Sequence, residues 1–379
     1  MSITSEDKAD LLGLFGGQLL PGKTVDALFR MPRMFPYAPV ARGDGPARPL
    51  ARAATPMPRI EIPHDGRVFD MGDFLAVNRV AGALILKDGQ VAFENYELGL
   101  NEQRHWASAS VAKSFTSALV GAAIQDGFIG DLDAPLTDFI DIGSPYDAVS
   151  LRQLLRMNTG VLWREEYVDP HSERRQLLAK QFAFEPRAIT RHMTGLSRCA
   201  PPGGSWAYNT GESYLVAAVL ERATGKGLAD YLSERIWSRL GMDQDATWWL
   251  DSPGGMVVSG SGMGATLRDY ARFGQFVLDD GIIDGERVVP EGWFREAGSP
   301  FRIAEKLIPY GYMWWIPELQ VPELAGSFQA EGIYGQYIHV NPAEKLVIVL
   351  LCARSKPNMR LRFELNDDAF FAAVARALR

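Results

Sequence analysis

Strands stand at both ends of this chain, and a long helical stretch lies between them. Ala83-Leu-Ile-Leu-Lys87 and Gln90-Val-Ala-Phe-Glu-Asn-Tyr96 are apolar runs on either side of Asp88-Gly89. A two-residue type I′ turn needs positive φ at both central positions, and Asp-Gly supplies it, so these runs predict a hairpin. Far downstream, Gln336–Val340 and Leu346–Leu351 flank Asn341-Pro-Ala-Glu-Lys345 and predict a second hairpin. Gly311–Ile316 and Ser327–Ala330 read as further strands. A sheet built from both ends of a chain must close by long-range pairing, here antiparallel, with helices packed on it. The expectation is an α/β fold of the α+β type: an antiparallel sheet flanked by helices, plus an inserted all-helical subdomain.

The helices follow from caps and periodicity. Residues 112–122 are Ala-rich and apolar. Ser150 reads as the N-cap of a helix ending near Gly160, and Thr266 as the N-cap of Leu267–Asp279. Tyr214–Ala223, Leu228–Leu240 and Asp367–Leu378 also read as helices, and residues 164–200 as mixed helices and loops over a cleft. Gly254–Gly264 is glycine-rich without the Gly-x-x-x-x-Gly-Lys order of a phosphate loop, and reads as tight turns lining a cleft. Residues 1–75 carry two short helical patterns, Ala9–Phe15 and Thr24–Phe29, then a Pro- and Arg-rich extended stretch, and read as a wrapping arm. The sheet subdomain is expected over 76–105 and 255–379, the helical subdomain over 106–254, with the site at their interface.

Composition excludes several classes. A net charge of −7 with no Lys/Arg run argues against a nucleic-acid surface. Leu346–Ala353 is too short to span a bilayer, and Met1-Ser-Ile-Thr-Ser-Glu-Asp-Lys8 lacks a signal-peptide layout, so a cytoplasmic setting without a membrane partner is expected. Cys199 and Cys352 lie in unrelated contexts and read as free thiols. The five histidines form no zinc spacing, and His339 alternates within a strand as a structural residue. No cofactor or metal is expected. The expected partner is a small-molecule substrate, with a homodimer left open.

Chemistry concentrates at Trp106-Ala-Ser-Ala-Ser110-Val-Ala-Lys113. Small polar residues run there into an apolar helix, and Ser110 and Lys113 fall one turn apart on one face. A hydroxyl at that place meets an amine that can take its proton and the unpaired N–H groups of a helix start. Ser5-Glu-Asp-Lys8 has the same spacing in a polar segment without a cleft. No Gly-x-Ser-x-Gly elbow occurs, which disfavours a Ser-His-Asp hydrolase of the elbow type. Glu165-Glu166 reads as a solvated loop, since adjacent residues point to different faces.

Six phrases in order carry a resemblance: Ser110-Val-Ala-Lys-Ser-Phe, Asp131-Leu-Asp-Ala-Pro, Leu151-Arg-Gln-Leu-Leu-Arg-Met-Asn-Thr-Gly, Pro202-Gly-Gly-Ser-Trp-Ala-Tyr-Asn-Thr-Gly, Ala265-Thr-Leu-Arg-Asp-Tyr-Ala-Arg-Phe-Gly and Tyr334-Gly-Gln-Tyr-Ile-His-Val-Asn-Pro. Over roughly residues 80–355 the chain resembles the serine β-lactamase-like, penicillin-recognising superfamily on its class C side. Within it, the chain is most similar to the esterase and 6-aminohexanoate-dimer hydrolase branch. The resemblance implies a β-lactamase-like sandwich and acyl-enzyme hydrolysis of small esters or amides, with Ser110 as nucleophile. It implies Tyr208, at the place of the Tyr-x-Asn motif, as proton-transfer partner; either Tyr208 or Lys113 serves as the base. Thr210 stands where Asn is common. Ile333 stands where the family carries the cation of its third motif, which counts against β-lactam or D-Ala-D-Ala chemistry and favours neutral substrates. The resemblance further implies an oxyanion hole from the N–H groups of Ser110 and Gln336 in the Gly335-Gln336 turn, substrate contact at Tyr167, and a glycine at 264 where relatives carry a polar side chain. A catalytically silent binding or scaffold member, or a β-lactamase or D-aminopeptidase, is the alternative.

Overall fold

The computed structural model describes residues 3–143, 145–357 and 363–379. Five antiparallel strands form the main sheet in the order Phe328–Gly332, Gln336–Asn341, Leu346–Cys352, Val80–Lys87, Gln90–Tyr96. The expected first hairpin is present, with Asp88 and Gly89 at φ +50° and +75°. Both faces of this sheet are covered. Leu84, Leu86, Ile338, Val340, Val347 and Val349 join one core with Phe115 and Phe273. Ala83, Ile85, Tyr337, Ile348 and Leu350 join the other with Phe74, Phe370 and Phe371. Alternate residues of one strand thus serve opposite cores, which is why Leu346–Cys352 is apolar and buried throughout.

The helix Ala112–Gln125 runs through the first core, buried at all but its last two residues. Its Phe115 stacks on Phe273 of the helix Leu267–Leu278 with ring centroids 3.6 Å apart. Deleting such a ring costs about 3–5 kcal/mol. Thr266 caps the second helix, accepting from the Asp269 N–H. Ser150 and Gln153 form a capping box on the short helix Leu151–Arg156.

A second, four-stranded sheet was not foreseen. Its order is Tyr37–Val40, Ala246–Trp249, Met263–Ala265, Trp106–Ala107. The N-terminal arm therefore supplies an edge strand, and its helices Ser5–Phe15 and Pro21–Arg30 place Leu11, Phe15 and Leu28 in the main core. Residue 75 is no structural boundary. Trp106–Ala107 and Ala246–Trp249, expected in the helical part, are strands. Gly311–Ile316 is another correction: it holds only isolated bridges, Tyr310 to Trp315 and Trp315 to Gln329. The pattern Leu228–Leu240 breaks at Ile236 into the helix Leu228–Arg235 and a 3₁₀ turn at Trp237–Arg239. His339 is structural: its Nδ1 meets Gln329 Oε1 at 2.9 Å, and burial drives its pKa down to about 3. Neither cysteine is in a disulfide. Among the described residues, no helix is long and apolar enough to cross a membrane.

Candidate active site

The short strand Trp106–Ala107 pairs with Ala265 and Gly264, and the Ser108 N–H continues the ladder to the Met263 carbonyl at 2.8 Å. The chain then turns into the helix through a 3₁₀ turn, Ala109–Val111. Ala109 has φ +45°, a left-handed conformation costly for any residue with a Cβ. Ser110 is thereby presented at the foot of the helix, 9% exposed.

Lys113 lies one turn on and only 1% exposed. Its Nζ is 2.9 Å from Ser110 Oγ and 2.8 Å from the Gly260 carbonyl, in the glycine-rich segment. Burial disfavours the ammonium, and Arg174 adds to that while Glu165 opposes it; the pKa falls from 10.5 to about 7. Tyr208 completes the expected trio. Its ring centroid lies 5.0 Å from Lys113 Nζ, and the Ser110 side chain beside it works to lower the phenol pKa. Burial and the nearby Glu165 carboxylate hold the phenol pKa well above its usual value. An aromatic wall backs it: Trp315 at 5.0 Å and Tyr310 at 5.8 Å between ring centroids.

Behind Ser110 lies a cavity of about 30 Å³, walled by Phe15, Met31, Trp249 and Ile333 and also lined by Tyr167, Arg174 and Tyr334. Tyr167 is therefore at the site, as expected. Its hydroxyl donates to Glu165 Oε1 at 2.7 Å. Glu165 is not a solvated loop residue. It also accepts from Trp163 Nε1 at 2.5 Å and from Thr210 N at 3.0 Å and Oγ1 at 2.5 Å. Arg174 Nε approaches it at 3.5 Å. Glu166 alone fits the solvated reading, being exposed. A roomier hollow of about 770 Å³ lies elsewhere, lined by Arg187, Glu221 and Asp251 among others, but among the described residues no serine, cysteine or tyrosine lines it.

Three expected positions fall away from the cavity. Gln336 pairs with Gly332 on one side and Leu351 on the other. An N–H between two strand neighbours lies in the sheet rather than in the cleft. The Gln336 side chain turns inward, its Oε1 accepting from the Tyr334 N–H at 3.1 Å. Gly335 faces Arg354 and Cys352, where an added Cβ would come within 2.7 Å and 2.8 Å. Gly264 is packed under the arm: a Cβ there would sit 2.4 Å from Pro32, so no polar side chain fits. What meets the serine turn is instead Gly332, where a Cβ would be 2.9 Å from the Ser108 carbonyl, with Ile333 in the cavity wall.

Sequence reasoning missed Phe15, Met31, Glu165 as a site residue, and Arg174. For Arg174 a signal existed. On the helix Glu173–Gln181 the buried positions are Arg174, Leu177, Leu178 and Gln181, a helical stripe that puts the arginine in register with two leucines.

The beta-lactamase family model matches residues 74–371. The chain is 31% identical over 351 residues to the 6-aminohexanoate-dimer hydrolase of Paenarthrobacter ureafaciens, covering 88% of this chain and 86% of that one. It is 28% identical over 161 residues to the lovastatin esterase of Penicillium rubens, which covers 35% of this chain and 37% of that one. Among solved structures, a Bacillus anthracis protein provisionally named a 6-aminohexanoate-dimer hydrolase superposes with TM-score 0.80, 24% identity and 93% coverage of both chains. A family VIII carboxylesterase superposes with TM-score 0.58, 15% identity, and coverage of 79% of this chain and 92% of that one. These two likenesses speak for the fold. With the family model spanning most of its length, the chain belongs to the beta-lactamase family.

Proposed function

We propose that this protein is a serine hydrolase that cleaves small carboxylic esters and amides through an acyl-enzyme. The observation that carries the reading is the buried Lys113 Nζ, 2.9 Å from Ser110 Oγ, with a pKa brought down to about 7. A lysine that is neutral near pH 7 can accept the serine proton, and donation to the Gly260 carbonyl turns its lone pair toward Oγ. Tyr208, held as a neutral phenol, is the relay that passes the proton to the departing alcohol or amine rather than the resting base. The oxyanion is held by the Ser110 N–H and the backbone at Gly332–Ile333, which abuts the serine turn. Water, deprotonated by the same lysine, then releases the acid.

Support for the substrate class comes from the relatives: an aminohexanoate-dimer hydrolase and an esterase both align with this chain. The absence of a cation at Ile333 sets β-lactams behind linear esters and amides. The test is labelling by a serine-directed fluorophosphonate, read by intact mass, beside hydrolysis of ethyl butyrate and of the 6-aminohexanoate dimer. Labelling and turnover that vanish in Ser110→Ala are expected. Equal labelling of wild type and Ser110→Ala overturns the assignment.

A further inference from the structure

The cavity behind Ser110 contains a cation that the mechanism above leaves unused. Arg174 is 4% exposed and lines that cavity with Ser110, Tyr167 and Ile333. Its guanidinium lies 4.9 Å from the Phe15 ring centroid and 5.7 Å from that of Tyr167, two rings that stack on each other at 5.5 Å. Among the described residues its Nε and Nη1 have no hydrogen-bond acceptor. Glu165, the neighbouring carboxylate, balances the charge without filling those N–H groups. Its two oxygens are already taken by Trp163, Tyr167 and both donors of Thr210. A buried guanidinium with unspent donors is built to receive a planar, two-oxygen acceptor, which it binds far better than a neutral group.

The direction of the cavity decides which end of a substrate enters. Phe15, Met31 and Trp249, all buried, line it on the protein side together with Arg174. A leaving group must depart to solvent, so a cavity lined by buried side chains suits the part that stays bonded to the serine. Its volume of about 30 Å³ is small, roughly the space of two water centres. Two carboxylate oxygens on a short chain fit that room.

We propose that Arg174 anchors a terminal carboxylate of the acyl group, so that the preferred substrates are short half-esters or half-amides of dicarboxylic acids. This rests on the serine-hydrolase reading. The cation missing at Ile333 is thus supplied by Arg174 in the same cavity, on the acyl side. An acyl group ending in an ammonium meets Arg174 and is disfavoured, so the 6-aminohexanoate dimer is expected to turn over more slowly than ethyl butyrate.

Three ethyl esters of matched length test this: monoethyl succinate, ethyl butyrate and β-alanine ethyl ester, followed by acid release in a pH-stat. Wild type is expected to favour monoethyl succinate over ethyl butyrate by about tenfold or more in kcat/KM, chiefly through KM, with the aminoester slowest. In Arg174→Gln the succinate-to-butyrate ratio should fall to about one, and Arg174→Lys should recover part of it. Succinate alone should inhibit ethyl butyrate hydrolysis competitively in wild type, and in folded Arg174→Gln only at about tenfold higher concentration. A wild type that treats the succinate and butyrate esters alike, or an Arg174→Gln that keeps the ratio, overturns the proposal while leaving the hydrolase reading intact. Turnover that persists in Ser110→Ala overturns the hydrolase reading instead.

Discussion

Lys113 and Arg174 are two buried cations beside one serine, and the protein treats them oppositely. Both are almost fully removed from water. For Lys113 burial dominates, and the pKa drops to about 7. For Arg174 burial also works against the charge, yet Tyr214, Glu165 and Tyr167 outweigh it, and the pKa is raised above its already high value. Lysine can give up its proton when desolvated, and arginine cannot. The first therefore suits a base, and the second a fixed anchor. The partners agree: Lys113 touches the nucleophile and a carbonyl, whereas Arg174 is balanced by a carboxylate whose own bonds go elsewhere.

The sharpest way to break this contrast is Lys113→Arg, which keeps a cation at the site but removes one that can become neutral. We expect a loss of about 10³-fold or more in kcat/KM for ethyl butyrate, measured by acid release. A drop of only a few-fold would mean that charge, not proton acceptance, is what Lys113 supplies.

The same contrast marks what the sequence could reveal. Ser110 and Lys113 were legible because one helical turn separates them and local pattern carries that geometry. Tyr208 came from the phrase around it. Arg174 sits beside Arg175 in a charged helix, and only the stripe with Leu177 and Leu178 distinguishes the buried one. Gln336 was misplaced because sequence does not say on which side of a strand the hydrogen bonds run. The main sheet was readable, since strands covered on both faces are continuously apolar. The second sheet was not: its strands are two to four residues long and come from three distant stretches of the chain. Gly311–Ile316 looked like a strand because it is aromatic, yet it pairs only at Trp315 and lends that ring to the wall behind Tyr208.

The arm offers a way to blur the contrast from outside. Phe15 stacks on Tyr167 and lies under Arg174, so it keeps the guanidinium dry and the cavity short. Phe15→Ala should let water and longer chains in. We expect the ratio of kcat/KM for ethyl hexanoate to that for ethyl acetate to rise about tenfold, at a cost in thermal stability from the lost ring. An unchanged chain-length profile in a folded variant would show that the arm packs beside the cavity without limiting it.

The finest test uses Glu165 and Arg174 as opposing levers on Lys113. Activity that needs a neutral lysine rises with pH through its pKa, so the acid limb of kcat/KM should fall near pH 7. Glu165 raises that pKa and Arg174 lowers it. Glu165→Gln keeps the size and shape of the side chain but removes the negative charge, so the limb should move to lower pH. Arg174→Gln removes the positive charge, and the limb should move to higher pH. At pH 6 the two variants should thus depart from wild type in opposite senses, by about two- to fivefold each relative to their own plateau at high pH. The comparison uses the neutral ester, so that loss of a carboxylate anchor does not enter. Shifts of the same sign in both variants would mean that each acts on the serine by disturbing its packing, and not through its charge on Lys113.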